Sequence, residues 1–240
     1  SVLAPTWYLG DGWEAANSDL SPNGRWLLLA VQKAGADRGR GGKMPLYVTE
    51  SGYVDIEDVR TRVGLNPPVP QQLWLLDLEQ RVKHEISFDD LPGITEQPLA
   101  FLDNEESKED EDEARTVTIS NIIWQPQGDL AAVQMIATDN KDRWLATLNP
   151  DDAKLTSRHR LHDEGWINWL FNEYGWLPGG EKLWYLSEGE GFSHFYTIAL
   201  NKRRPKALTS GEFEVMAPII SADGKQAFVL SNRNHPTEYD

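Results

Sequence analysis

The chain has no cysteine among its 240 residues. That absence removes disulfides, thiolate nucleophiles and Cys-ligated zinc together, and it fits a reducing or an oxidising compartment equally. No apolar run reaches the roughly 18 residues that a spanning helix needs, so no membrane span is expected. Basic residues are scarce. The 23 Lys and Arg face 38 Asp and Glu, for a net charge of -15, which argues against a nucleic-acid partner because phosphate contacts need clustered cations. The opening "SVLAPTWYLGDGW" has neither an initiator Met nor a charged stretch leading into an apolar one, and it reads as the start of a processed or truncated chain.

What is present is a globular composition, 40% apolar with ten tryptophans, enough to bury a core as one large all-β unit or two ordinary domains. Part of the negative charge is local. "DNEESKEDEDE", from Asp103 to Glu113, holds eight acids against Lys108, and a like-charge run of this kind reads as a solvated loop. It lacks the alternate spacing and the Gly of an EF-hand, so no metal site is expected there.

The chain repeats itself. "NSDLSPNGRWLLLAVQ" from Asn17, "SNIIWQPQGDLAAVQMI" from Ser120, "NEYGWLPGGEKLWYLSE" from Asn172 and "MAPIISADGKQAFVLSN" from Met216 align. Each reads as an apolar strand, a four-residue turn and a second apolar strand. Pro presets φ in three of the turns, and the closing glycines Gly24, Gly128, Gly180 and Gly224 can take φ > 0. The gaps between them are 104, 52 and 44 residues, the first about two units long. A repeat of roughly 40 to 50 residues with four short strands marks a β-propeller blade. The third and fourth strands follow in "QQLWLLDLEQRVKHEIS" (71–87), "DRWLATLNPDDAKLTSR" (142–158) and "SHFYTIALNKRRPKALTSG" (193–211).

The expected fold is therefore all-β: a partial β-propeller of four-stranded antiparallel blades, about three and a half of them, over residues 1–240. One blade covers 17–87 and is split by a long insertion at 33–70. An acidic loop region covers 88–115, further blades cover 116–160 and 166–211, and a half blade covers 215–240. So few blades do not close a ring, which usually takes about four to eight, and the open last blade has an unpaired edge through which the fragment is expected to dimerise.

"SPNGRWLLL", "QQLWLLDL" (71–78), "DNKDRWLATL" (139–148) and above all "WINWLFNEYGWLP" (166–178) followed by "LWYLSEGEGFSHFY" carry a resemblance over nearly the whole chain. The sequence resembles the propeller domain of the prolyl oligopeptidase family of serine peptidases, on its dipeptidyl peptidase IV and acylaminoacyl peptidase side. The resemblance implies a parent serine peptidase in which a non-catalytic propeller gates or positions peptide substrate for an α/β-hydrolase domain of the same parent chain. It implies no cofactor, and a periplasmic or secreted address by resemblance only. A TolB-like or WD-type propeller acting as a protein-interaction scaffold is the alternative.

The family's catalytic serine lies in a G-x-S-x-G elbow followed by Asp and His. Here Gly191-Phe192-Ser193-His194-Phe195 puts Phe where the second Gly belongs, and "FYTIAL" continues as strand, so no catalytic triad is read in this chain. Dipeptidyl-peptidase relatives also hold the substrate ammonium with adjacent glutamates between aromatics. Glu105-Glu106 lie in the acidic run without an aromatic neighbour; Glu188 and Glu190 sit in a tight loop. Trp166, Trp169, Asn172 and Glu173 precede a hairpin turn on what should be the innermost strand of a blade, where a peptide would pass. These four, with Glu188 and Glu190, are the candidate substrate-binding residues.

Other features have plainer readings. Trp26, Trp74, Trp124, Trp144, Trp176 and Trp184 recur at strand positions and suit packing between blades. His84, His159, His162, His194 and His235 are scattered and read as surface residues. "GADRGRGGKMP" lacks the Ser or Thr and the glycine spacing of a phosphate loop and reads as flexible, although Arg38, Arg40 and Lys43, with Arg60 and Arg62, could meet a substrate carboxylate.

Overall fold

A computed structural model describes residues 7–35, 41–61, 69–98, 113–128 and 130–239. The four repeated turns fold alike. The Gly24 N–H donates to the Ser21 carbonyl at 2.9 Å and the Ser21 N–H to the Trp26 carbonyl at 2.8 Å, and the same pair of bonds closes the turns ending at Gly128, Gly180 and Gly224. Those glycines take φ of +73°, +85°, +72° and +67°, the left-handed region where a side chain is strained.

Strands β1 (Trp13–Leu20) and β2 (Trp26–Lys33) flank the first turn. An inserted hairpin of β3 (Gly41–Leu46) and β4 (Asp55–Thr61) follows, and β5 (Gln71–Asp77) and β6 (Val82–Ile86) then complete a sheet ordered β1-β2-β5-β6. The second sheet runs β10-β9-β8-β7, from β7 (Val117–Trp124), β8 (Ala131–Ala137), β9 (Asp142–Asn149) and β10 (Lys154–His162). The third is β11 (Tyr174–Trp176), β12 (Lys182–Ser187), β13 (His194–Ala199) and β14 (Lys206–Ala207). A two-stranded sheet of β15 (Val215–Ile220) and β16 (Ala227–Ser231) comes last. All pairings are antiparallel. The flexible-loop reading of the Gly-rich stretch is corrected over Gly41–Leu46, which pairs with β4.

Alternation along the middle strands explains how the sheets stack. Leu28 and Ala30 of β2 and Leu73 and Leu75 of β5 face the second sheet, meeting Val133, Met135 and Trp144 in one core. Their neighbours Leu29, Val31, Trp74 and Leu76 point the other way, under Trp7, Leu9 and Trp13. Ala132 and Leu145 of the second sheet turn instead to Leu183, Tyr185 and Ile198 of the third. With both faces covered, β8 is buried at every position, and its sequence AAVQMIA is apolar but for Gln134 rather than alternating. Each fully buried Leu or Met contributes about 1.5–3 kcal/mol by leaving water. Trp74 departs from the expected packing between blades, because its side of the sheet is covered by the segment from Trp7 to Trp13.

The turns also nest. A Cβ on Gly128 would meet Pro22 at 3.4 Å, one on Gly180 would lie 2.4 to 2.6 Å from Gln127 and Gln125, and one on Gly224 would meet Pro178 at 3.2 Å. Gln125 Nε2 donates to the Gly180 carbonyl at 2.7 Å. Each blade's turn thus rests on the turn before it.

Candidate functional site

Asn17, Asn121 and Glu173 occupy one repeat position, three residues before the strand ends at Leu20, Trp124 and Trp176. Two of them reach into the following blade. Asn17 Nδ2 donates to the Ser120 carbonyl at 3.5 Å, and Glu173 Oε2 accepts the Ala217 N–H at 3.0 Å. Further along, Trp124 and Trp176 donate their indole N–H to the Asp19 and Ile123 carbonyls of the preceding blade, both at 3.0 Å. First strands therefore face first strands, and their polar side chains form the inner edge of the stack.

The third blade breaks the pattern. β1 and β7 carry a bulge four residues before their ends, whereas β11 starts only at Tyr174, and the chain ahead of it leaves the sheet. Asn168 Oδ1 accepts the Leu170 N–H at 3.1 Å and caps a single 3-10 turn, Trp169–Phe171. Trp166, Trp169 and Asn172, expected on the innermost strand, lie in this connection instead; Glu173 sits where it joins β11, its carbonyl accepting the Leu186 N–H at 3.0 Å. The cause is a cation beneath it.

Arg143 of β9, 1% exposed, donates from Nη1 to the Phe171 carbonyl at 3.0 Å and to Asn172 Oδ1, and from Nη2 to the Leu186 carbonyl at 2.8 Å. Gln134 Nε2 adds a bond to the Asn172 carbonyl at 2.8 Å. Burial pushes the Arg143 guanidinium down to about 10, against the pull of Tyr185 and Glu188, so it stays charged at neutral pH. A buried cation bonded to carbonyls holds the connection in place.

Over this anchor Asn121, Gln134, Trp169, Asn172, Glu173 and Tyr174 line a pocket of about 390 Å³, with Trp184 at its side. Trp169 is 49% exposed and Trp166, beside it on the connection, 76%. Glu188, half-buried, accepts from Asn168 Nδ2 at 3.4 Å; burial, then the nearby Glu214, raises its carboxyl above the usual range. Trp169, Asn172 and Glu173 thus share one pocket, Glu188 braces the connection, and Trp166 stands exposed on it. Glu190 is exposed at the tip of the next loop and lines none of it. Arg143, Gln134 and Asn121 were missed by the sequence reading. The signal for Arg143 was available, as a lone cation inside "DRWLATL".

Ser193 and His194 are structural here. Ser193 is fully buried, donates Oγ–H to the Val215 carbonyl at 2.8 Å, and its N–H donates to Glu214. His194 Nε2 lies 2.9 Å from the Gly211 carbonyl and Nδ1 lies 3.2 Å from Thr209 Oγ1. The surface reading of the histidines is corrected for His194, which these bonds hold inside, and for His159, half-buried against the Tyr185 ring at 4.5 Å. Burial, then the Arg143 charge, drives His159 down to about 3.

Glu96, Asp142 and His162 bring ligand atoms within 4.8 Å of one another, yet the chemistry does not suit a metal ion. Asp142 is fully buried and takes Arg115 at 2.7 Å, Arg160 at 2.6 Å and His162 at 3.0 Å. Burial alone would raise its carboxyl; the hydrogen bonds from Arg160, His162 and Arg115 hold it below its ordinary value. Two guanidiniums already occupy the place of a cation. Lys43 is paired with Asp58 at 2.8 Å on the inserted hairpin. Glu105, Glu106, Arg38, Arg40 and Arg62, and the side chain of Arg60, lie outside the described residues.

Antiparallel four-stranded sheets stacked face to face, first strand against first strand and turn upon turn, define the class: a β-propeller, present here as three blades and a hairpin. The family model for the dipeptidyl peptidase IV (DPP IV) N-terminal region matches residues 100–240, more than half of the chain, and the chain belongs to that family. The fold is similar to that of a Porphyromonas gingivalis dipeptidyl peptidase 4, with a TM-score of 0.62 and 17% identity over 92% of this chain and 28% of that one. It is also similar to a candidate dipeptidyl aminopeptidase IV from Bacteroides ovatus, with a TM-score of 0.61 and 12% identity over 94% of this chain and 33% of that one. The chain therefore spans a third or less of those solved chains. No curated protein matches it.

Proposed function

We propose that this propeller positions peptide for a serine peptidase domain of the α/β-hydrolase type carried elsewhere in the parent chain, and contributes no nucleophile itself. The observation that carries the reading is the inner-edge pocket, where Trp169 and the Glu173 carboxylate stand beside each other in a chain of the dipeptidyl peptidase IV N-terminal family. An exposed indole offers a peptide side chain apolar surface and a cation a ring face, and the Glu173 oxygen not used by Ala217 can accept from a peptide N–H or ammonium. Gating follows the same logic, since a peptide entering along the first strands meets this pocket.

The test uses the full-length protein. Trp169→Ala and Glu173→Gln are expected to raise KM for peptides by about tenfold, while turnover of a small activated ester, too short to reach the propeller, stays unchanged. Identical kinetics across a peptide series would remove the proposal. Dimerisation through the β16 edge is the accompanying expectation, favoured by Phe228 at 61% and Leu230 at 44% exposure. A monomeric mass by light scattering defeats it.

A further inference from the structure

We propose that the outer mouth of the seam between the second and third blades binds a small organic anion, a carboxylate or phosphate carried on an apolar body. Thr156, Ser157 and Arg158 of β10 and Leu200, Asn201, Lys202 and Arg203 after β13 enclose a pocket of about 530 Å³, with Pro92 and Ile198 on its wall. That size falls within the roughly 300–1,000 Å³ of ordinary ligand sites.

Arg158 is the built part of this site. In the β9–β10 ladder Ser157 pairs with Ala146 and His159 with Leu145, so Arg158 is the extra residue of a bulge. Bulges re-aim side chains out of the alternating pattern. The guanidinium points across the seam and is fixed there, Nε donating to Thr147 Oγ1 and Nη1 to the Leu200 carbonyl, both at 2.8 Å. Nη2 has no partner among the described residues.

Among the described residues no carboxylate reaches Arg158, although acids outnumber bases 38 to 23 in this chain. Arg25, Arg115 and Arg160 each hold two. Burial lowers the Arg158 guanidinium, and no anion among the described residues offsets that cost. Lys202 and Arg203 stand on the tight turn closed by the Lys202 N–H on the Ala199 carbonyl at 2.9 Å, and neither has an ion pair among the described residues. A half-buried fork and two cations over a wall of Pro92, Ile198 and Leu200 select an oxyanion with an apolar body.

Isothermal titration of the full-length protein with phenyl phosphate, benzoate and inorganic phosphate tests this. Phenyl phosphate or benzoate is expected to bind with Kd below about 1 mM, inorganic phosphate at least about tenfold more weakly, and the preferred organic anion identifies the group read. The double substitution Lys202→Glu, Arg203→Glu lies on an exposed turn; it should weaken binding at least about tenfold through charge reversal, with an unchanged melting temperature as the check on folding. No binding of either organic anion at about 10 mM, equal binding by the double variant, or inorganic phosphate binding as tightly as phenyl phosphate would each overturn the proposal.

Discussion

The second blade and the closing hairpin of β15 and β16 share one turn chemistry and differ in almost everything else. Both turns close with the same two backbone bonds and a left-handed glycine. Yet β8 is buried at every position, whereas β16 shows only exposed and half-buried residues. Local sequence makes a hairpin; a neighbour on each face makes it core. Packing a sheet on both sides also forces polar groups inside, and the second blade answers with Arg143 bonded to carbonyls and Asp142 bonded to two arginines. The closing hairpin carries no such group.

The sharpest way to break the contrast is to remove that buried cation. Arg143→Ala should cost about 2–6 kcal/mol, read as a fall in the urea midpoint, because it strands the Phe171 and Leu186 carbonyls at about 1–3 kcal/mol each. Met135→Ala, a pure cavity in the same blade, should cost about 2–5 kcal/mol. Gly180→Ala combines left-handed strain with contacts of 2.4 to 2.6 Å and should cost about 1–3 kcal/mol. Gly24→Ala has the strain without the contact and should cost less.

A smaller effect lies in the pH dependence. The folded pKa of His159 is depressed to about 3 from 6.5, so the unfolded chain binds its proton first and stability falls as pH drops from about 6.5 toward 3. Glu188, raised by burial, acts in the opposite sense just above its ordinary value. The difference between wild type and His159→Gln isolates the histidine: the variant should show a shallower loss of stability in that window by thermal melting. At the other end, Phe228→Ser on the open hairpin face should change stability by less than about 0.5 kcal/mol; a loss of several times that would mean the face is covered.

The blades were legible because their grammar is local. A Pro or Ser turn ending in Gly, flanked by apolar runs, has few backbone solutions, and four copies in register identify the architecture. The connection from Gly165 to Glu173 was not legible as a departure from the strand, since its geometry depends on Arg143, distant in sequence and adjacent only after two sheets stack. The 3-10 turn capped by Asn168 follows the same cause. Trp169, Asn172 and Glu173 line one pocket, and their grouping was legible because they lie within five residues of one another. Asn121 and Gln134 come from another blade, and no local pattern joins them to that group. The inserted hairpin was hidden for a different reason: its glycines suggest looseness, while the pairing of Met44 with Glu57 and Leu46 with Asp55 is a property of the second strand.

The nesting of the turns gives the propeller a modular currency. Pro22 meets Gly128, Gln125 and Gln127 meet Gly180, and Pro178 meets Gly224, so each blade offers a small protrusion forward and a vacant Cβ position backward. A blade copied, deleted or grafted as a whole would meet its new neighbour with the matching shape already in place, provided the cut falls between turns. Recombination at any other point would leave a protrusion facing a side chain.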